Sequence, residues 1–200
     1  MRSIKKLKSF VIQKLEKELP PQLSYHGAQH TLHVLEVCNH YLKRYSIRDQ
    51  EALLIRTAAL MHDTGIIVDY ANHEEASVQL AWEWLPSWGY TKSDLKRIEG
   101  MGMATRIPQR PKNLFEMILC DSDLDYLGTD RFYEIGETLF KELMTFDLVR
   151  SEEEWDRLQV KFLNNHRYHT SFAQKYREPV KRRHLREIMD KWGWSEGVIN

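Results

Sequence analysis

The sequence predicts an all-α fold, and three observations carry that prediction. Apolar residues recur at steps of three and four along most of the 200 residues. No segment alternates with period two for long enough to build a sheet. No internal repeat, low-complexity tract or Gly/Ser linker divides the chain. One compact domain over residues 1–200 is therefore expected, a length that a single core can serve.

The elements follow in order. Ile4, Leu7, Val11, Ile12, Leu15 and Leu19 form one amphipathic helix, stopped by Pro20-Pro21. Leu32, Leu35, Val37, Tyr41 and Leu42 predict a helix from about Ala28 to Tyr45. Asp49 is a candidate N-cap for a helix to His62, with Leu53, Leu54, Ala58, Leu60 and Met61 buried. Gly65-Ile66-Ile67-Val68 reads as a loop leaving that helix. Asn72 caps a helix to Leu85, and Ser93-Asp94 starts one ending near Met103. Asn113 begins a helix reaching Leu127-Gly128, and Thr129-Asp130 caps the next, to Phe146. Ser151 with Glu154 is a capping-box pattern for a helix to Asn165. The last helix, Thr170 to Lys191, is interrupted near Pro179.

Composition excludes several classes. With 29 Lys+Arg against 29 Asp+Glu, there is no net charge to grip nucleic-acid phosphates or an anionic membrane. At 42% hydrophobic and 29% charged, the chain suits a packed soluble protein. Cys38 and Cys120 are too few for a disulfide framework and form no CxxC pair, so a reducing cytoplasm is the default setting. No apolar run approaches the ~20 residues that span a bilayer, and the basic N-terminus lacks a signal peptide's apolar stretch.

The nine histidines carry the chemistry. Three cluster in Tyr25-His26-Gly27-Ala28-Gln29-His30-Thr31-Leu32-His33, at a loop-to-helix junction. His62-Asp63 closes the apolar Ala58-Ala59-Leu60-Met61, where both groups are costly to bury unless paired or metal-bound. Cys120-Asp121-Ser122-Asp123-Leu124-Asp125 then brings three carboxylates to an apolar helix. Two imidazoles with two carboxylates make a mixed N/O shell for a divalent cation.

Ordered in this way, the early His, the His62-Asp63 pair and the later Asp resemble the HD superfamily of metal-dependent phosphohydrolases. The likeness spans roughly Tyr25 to Gly128, including NHEEAS at 72–77 and ATRIPQRP at 104–111. The helices of 129–200 are expected to pack on this region. The resemblance implies His30, His62, Asp63 and Asp121 as metal ligands, with Mn, Fe, Mg, Ni, Co or Zn as the ion. It implies a phosphohydrolase acting on a small phosphorylated molecule, a nucleotide, by metal-activated water, with Asp63 either accepting the water's proton or bridging to a second ion. Tyr25-His26-xxx-His30 looks like the cyclic-nucleotide phosphodiesterase arrangement of the same superfamily, which implies His26 as general acid. Those enzymes usually carry Asn where this chain has Gly27. His73 and Arg106 are the implied contacts to substrate phosphate. The alternative from another class is a regulatory HD module that binds nucleotide or metal without turnover.

Other residues have plainer readings. Asp123 competes with Asp121, since residues two apart on a helix do not share a face. Asp123 would then orient a histidine. Cys120 reads as a small buried hydrophobe. Tryptophans such as Trp82 and Trp88 read as packing. Lys181-Arg182-Arg183, with Arg186 and Lys191, is balanced by Glu178, Glu187 and Asp190 and reads as a solvated face. His166 to His169 reads as a solvated helix junction.

Overall fold

Ser3 begins the first helix by accepting the Lys6 N–H on its hydroxyl, and Leu7, Val11 and Leu15 form its buried stripe. In this computed structural model, which describes residues 2–195, the chain is all-α. No strand occurs among the described residues. The chain divides into two compact units, Met1–Asp123 and Leu124–Asn200.

The first unit holds α1 (Ile4–Glu18), α2 (Ala28–Arg44), α3 (Asp49–Met61), α4 (His73–Trp84), α5 (Lys92–Ala104) and α6 (Leu114–Asp123). α3 is its centre, packed against the other five helices. Ala52, Leu54, Ile55, Ala58, Ala59, Leu60 and Met61 are all buried, covering more than one face, as a central helix requires. His62-Asp63 is thereby delivered to the interior.

Several helix starts differ from expectation. Asp49 is already the first helical residue of α3, at φ 50°, and Arg48 occupies the cap position. Asn72 precedes α4 without capping it through its side chain. Asp69 Oδ1 instead accepts the N–H groups of Ala71 and Asn72. α5 is capped by Thr91, in a reciprocal box with Asp94, two residues before the expected start. α6 begins as expected, Asn113 Oδ1 accepting from Phe115 and Glu116 N–H.

Residues 64–67 form a single 3₁₀ turn, so the glycine-led apolar stretch is neither strand nor open loop. The turn lies against α4 more closely than any side chain would permit. A Cβ on Gly65 would sit 2.2 Å from both the His73 carbonyl oxygen and the Ser77 nitrogen. The Gly65 N–H donates to Ser77 Oγ at 2.7 Å. This contact fixes the start of α4 beside the end of α3.

In the second unit a 3₁₀ turn, Asp125–Gly128, precedes α7 (Phe132–Thr145), α8 (Glu152–Asn165), α9 (Ser171–Tyr176) and α10 (Glu178–Trp192). The helix expected to run through Leu127 therefore stops at Asp123. Ser151 caps α8 as expected, accepting the Glu154 N–H, but the Glu154 carboxylate accepts from Arg150. The break near Pro179 falls between α9 and α10, with the proline in the first turn of α10, where its missing N–H has no helical partner. α10 packs on α8, α9 and the 3₁₀ turn. His184 stacks on Phe132 and its Nδ1 lies 3.0 Å from the Leu127 carbonyl.

The junction after α8 is buried, not solvated. His166 is 8% exposed and Tyr168 2%. Tyr168 donates its hydroxyl to the Leu124 carbonyl at 3.0 Å. Burial, reinforced by the neighbouring Lys181 ammonium, pushes the His166 imidazole down to about 3. Its neighbours Glu178, His169 and Arg167 modify this only secondarily.

Two outcomes follow. Gly65→Ala must displace backbone, and we expect a loss of about 3 kcal/mol or more in urea unfolding. A loss below about 0.5 kcal/mol would show that the turn and α4 are not held together. His166 binds its proton in the unfolded chain near 6.5 and in the folded chain only near 3, so its stabilising contribution is full above the first value and lost as pH falls toward the second. We expect about 2 kcal/mol of that contribution to be gone by pH 5, and His166→Gln to flatten the dependence between pH 5 and 7.

Candidate metal centre

The site begins with the way α3 ends. His62 keeps helical angles, but Asp63 leaves the helix at φ −111°, ψ 7°. The last carbonyls of a helix lack helical partners. His62 Nδ1–H donates to one of them, the Ala59 oxygen, at 2.9 Å. That bond fixes the tautomer and turns the Nε2 lone pair inward. His30, in the first turn of α2, and Asp123, the last residue of α6, meet it there.

Four donor atoms from His30, His62, Asp63 and Asp123 lie within 4.8 Å of one another. His30 Nε2 is 3.0 Å from Asp123 Oδ1, 3.3 Å from Asp63 Oδ2 and 3.3 Å from His62 Nε2. His62 Nε2 is 3.2 Å from Asp63 Oδ2 and 3.4 Å from Asp123 Oδ1. Neighbouring ligands on a shell about 2.1 Å in radius stand about 3.0 Å apart in octahedral geometry and about 3.4 Å in tetrahedral. The donor chemistry and the spacing both fit a divalent cation.

The same crowding governs the protons. Burial alone would discharge His30, but its hydrogen bonds to the Asp123 and Asp63 carboxylates outweigh it and raise the imidazole to about 9. His62 is buried too, and the Asp63 charge holds it well above the ordinary value. Against their own burial, Asp63 is held well below the usual carboxylate range by the His62 charge, and Asp123 at about 2 by hydrogen bonds from His30 and His62. The imidazoles and the carboxylates thus favour one another's charged forms. A cation bonded to the two Nε2 atoms would replace those protons.

The carboxylate that α6 contributes is Asp123, which corrects the expectation of Asp121. Two residues on a helix are about 200° apart, so only one can face α2 and α3. Asp121 is completely buried but is not among the four. The useful signal was the helix-face argument, which allows one of the pair and does not choose between them. Arg106 has a protein partner of its own. Its guanidinium pairs with Glu75 of α4, its one ion pair among the described residues, and its side chain is half exposed.

His26 and His73 do come close. His73 Nδ1–H donates to the Tyr70 carbonyl at 2.9 Å, and its Nε2 lies 3.8 Å from Asp63 Oδ1. Asp63 thus presents one oxygen to the His30–His62 pair and the other to His73. The His26 ring is 5.6 Å from His73 and 6.3 Å from His30. Tyr25, 4.8 Å from the His30 ring, and Tyr70, 5.7 Å from the His26 ring, complete an aromatic border, of which sequence reasoning did not single out Tyr70. Cys120 is an inert neighbour: its buried thiol donates to the Ala104 carbonyl, and burial pushes its ionisation far up.

Comparison with known proteins agrees with this geometry. Residues 27–124, which contain all four donors, match the HD domain family. That stretch of the chain is an HD domain. The HD superfamily comprises metal-dependent phosphohydrolases. Among solved structures, the fold is similar to that of a predicted HD superfamily hydrolase from an uncultured Thermotogales bacterium. The TM-score is 0.59 at 20% identity, covering 94% of this chain and 92% of that one. It is also similar to a Lactobacillus plantarum protein from structural genomics, with a TM-score of 0.64 at 15% identity over 95% and 96% of the two chains. No curated protein matches the sequence. No helix among the described residues is long and apolar enough to cross a membrane.

The exchange of Asp123 for Asp121 is directly testable. Asp123→Ala should lower the metal recovered with the purified protein by at least about tenfold, while Asp121→Asn should retain it. Elemental analysis of the two variants decides between them, and the reverse pattern would restore Asp121 as the ligand.

Proposed function

We propose that this HD protein hydrolyses a phosphoester of a small molecule, a nucleotide in our reading, at an ion held by His30, His62, Asp63 and Asp123. The observation that carries the proposal is the four-donor cluster, with separations of 3.0–3.4 Å among the donors measured from the two histidines. The hydrolase name of the Thermotogales relative supports the same reading. Mn, Fe, Mg, Ni, Co and Zn are the candidate ions. When bound, such an ion lowers the pKa of water and polarises a phosphoryl oxygen.

The chain's own residues supply the remainder. Asp63 has a second oxygen directed toward His73 and can accept a proton from the attacking water. His73, held by the Tyr70 carbonyl, is positioned to meet substrate phosphate through Nε2. His26 is half-buried at the border of the site, where it can protonate the leaving oxygen. The Tyr25, Tyr70 and His26 rings border the site with aromatic surface, which favours a substrate carrying a planar base. The two buried, unpaired thiols suit a reducing cytoplasm.

Elemental analysis should first identify the resident ion, and a panel of mononucleotides, cyclic nucleotides and nucleoside triphosphates should then be tested with it. Asp63→Ala is expected to abolish both metal retention and turnover while leaving the helical circular dichroism intact. Hydrolysis by this variant at the parent rate would overturn the proposal. Tight nucleotide binding without product under any of the six ions would favour the regulatory alternative. His26→Gln should slow esters with alkoxide leaving groups by about 10²–10⁴ and p-nitrophenyl esters far less. Equal slowing of both would remove His26 from the role of general acid.

A further inference from the structure

The basic run of α10 is not uniformly solvated. Lys181 has no exposed surface. Its ammonium donates to the His166 carbonyl and lies 3.1 Å from Glu178 Oε2. Glu178, Arg182 and Arg186 follow one another at four-residue steps on α10, so they line one face. Arg167, two residues beyond α8, stands across from them. Between the two elements is a pocket of about 360 Å³, with Leu163, Leu185 and Met189 as its apolar floor.

The charges around this pocket do not cancel. Glu178 is the one carboxylate in its lining, and it already serves Arg182 at 3.0 Å and Lys181. Arg167 donates to main-chain oxygens, those of Asn164 and His166. Arg186 has no ion pair among the described residues. Glu178 is thus engaged by Lys181 and Arg182, while Arg167 and Arg186 line the pocket with no carboxylate partner among the described residues. Burial lowers the Lys181 ammonium, and although Glu178 opposes this, the Arg167 and Arg182 charges add to it. Arg167 and Arg186 lack a counter-anion, and the space beside them is concave and floored with hydrocarbon.

We propose that this pocket of the second unit binds a small organic phosphate. Its phosphoryl oxygens are received by Arg167 and Arg186, and its apolar portion rests on Leu163, Leu185 and Met189. Guanidinium forks suit tetrahedral oxyanions, and two forks without carboxylate partners can meet a dianion. The floor distinguishes an organic phosphate from the inorganic ion through burial of its hydrocarbon. The site is built entirely from residues 163–189 and is independent of the metal cluster.

The test is calorimetric titration of the full chain, in chelator, with phenyl phosphate as the probe. Saturable one-to-one binding is expected, with inorganic phosphate at least about fivefold weaker. The double variant Arg167→Gln/Arg186→Gln should weaken phenyl phosphate at least about tenfold while its melting temperature stays near the parent's. Arg186→Lys, which keeps the charge and loses the fork, should fall between the two. Absence of saturable binding to the parent would overturn the proposal, as would equal binding by the double variant. Loss of binding in His30→Gln would also overturn it, by placing the probe at the metal cluster.

Discussion

Two imidazoles and two carboxylates inside one helical unit are tolerable only because they neutralise one another or share a cation. Isolated, each would cost several kcal/mol to bury. That constraint reaches outward from the cluster. α2 must present His30 from its first turn, α6 must finish at Asp123, and α3 must end so that His62 bonds its own helix while Asp63 leaves it. The apolar packing of α3 against its five neighbours supplies the rigidity, and the charged tip supplies the reason for so exact a meeting of helix ends.

The turn after the cluster shows how backbone geometry serves the site. Gly65 admits α4 to a distance at which a single Cβ would collide with the main chain. The same approach carries His73 to within 3.8 Å of Asp63. Asp63 can thus face two sides at once, its Oδ2 among the imidazoles and its Oδ1 toward His73. In the second unit a buried ammonium is managed differently. Lys181 leans on one shared carboxylate and a carbonyl, leaving positive charge exposed around a concave surface.

Much of this was legible in the residues. Apolar residues at steps of three and four located the helices, and Asn113 and Ser151 signalled their own starts. At α3 the cap position falls one residue early, on Arg48, and at α4 Asn72 holds the cap position while Asp69 accepts the N–H groups just before the helix. His30, His62 and Asp63, which meet in one cluster, could be chosen together since their order in the chain is distinctive. The last carboxylate could not be, because Asp121 and Asp123 are chemically identical and differ only in which side of α6 they occupy.

The amino-acid sequence by itself determined an all-α chain, the residue types of a divalent-cation site and the helix ends that bear them, because these depend on local periodicity and composition. Tertiary structure decided that Asp123 joins the cluster, that Arg106 is taken by Glu75, and that a seemingly solvated basic run encloses a buried lysine. Each of those outcomes depends on the rotation of one helix against another. Rotation is set by packing among residues far apart in the chain, and no local spacing records it.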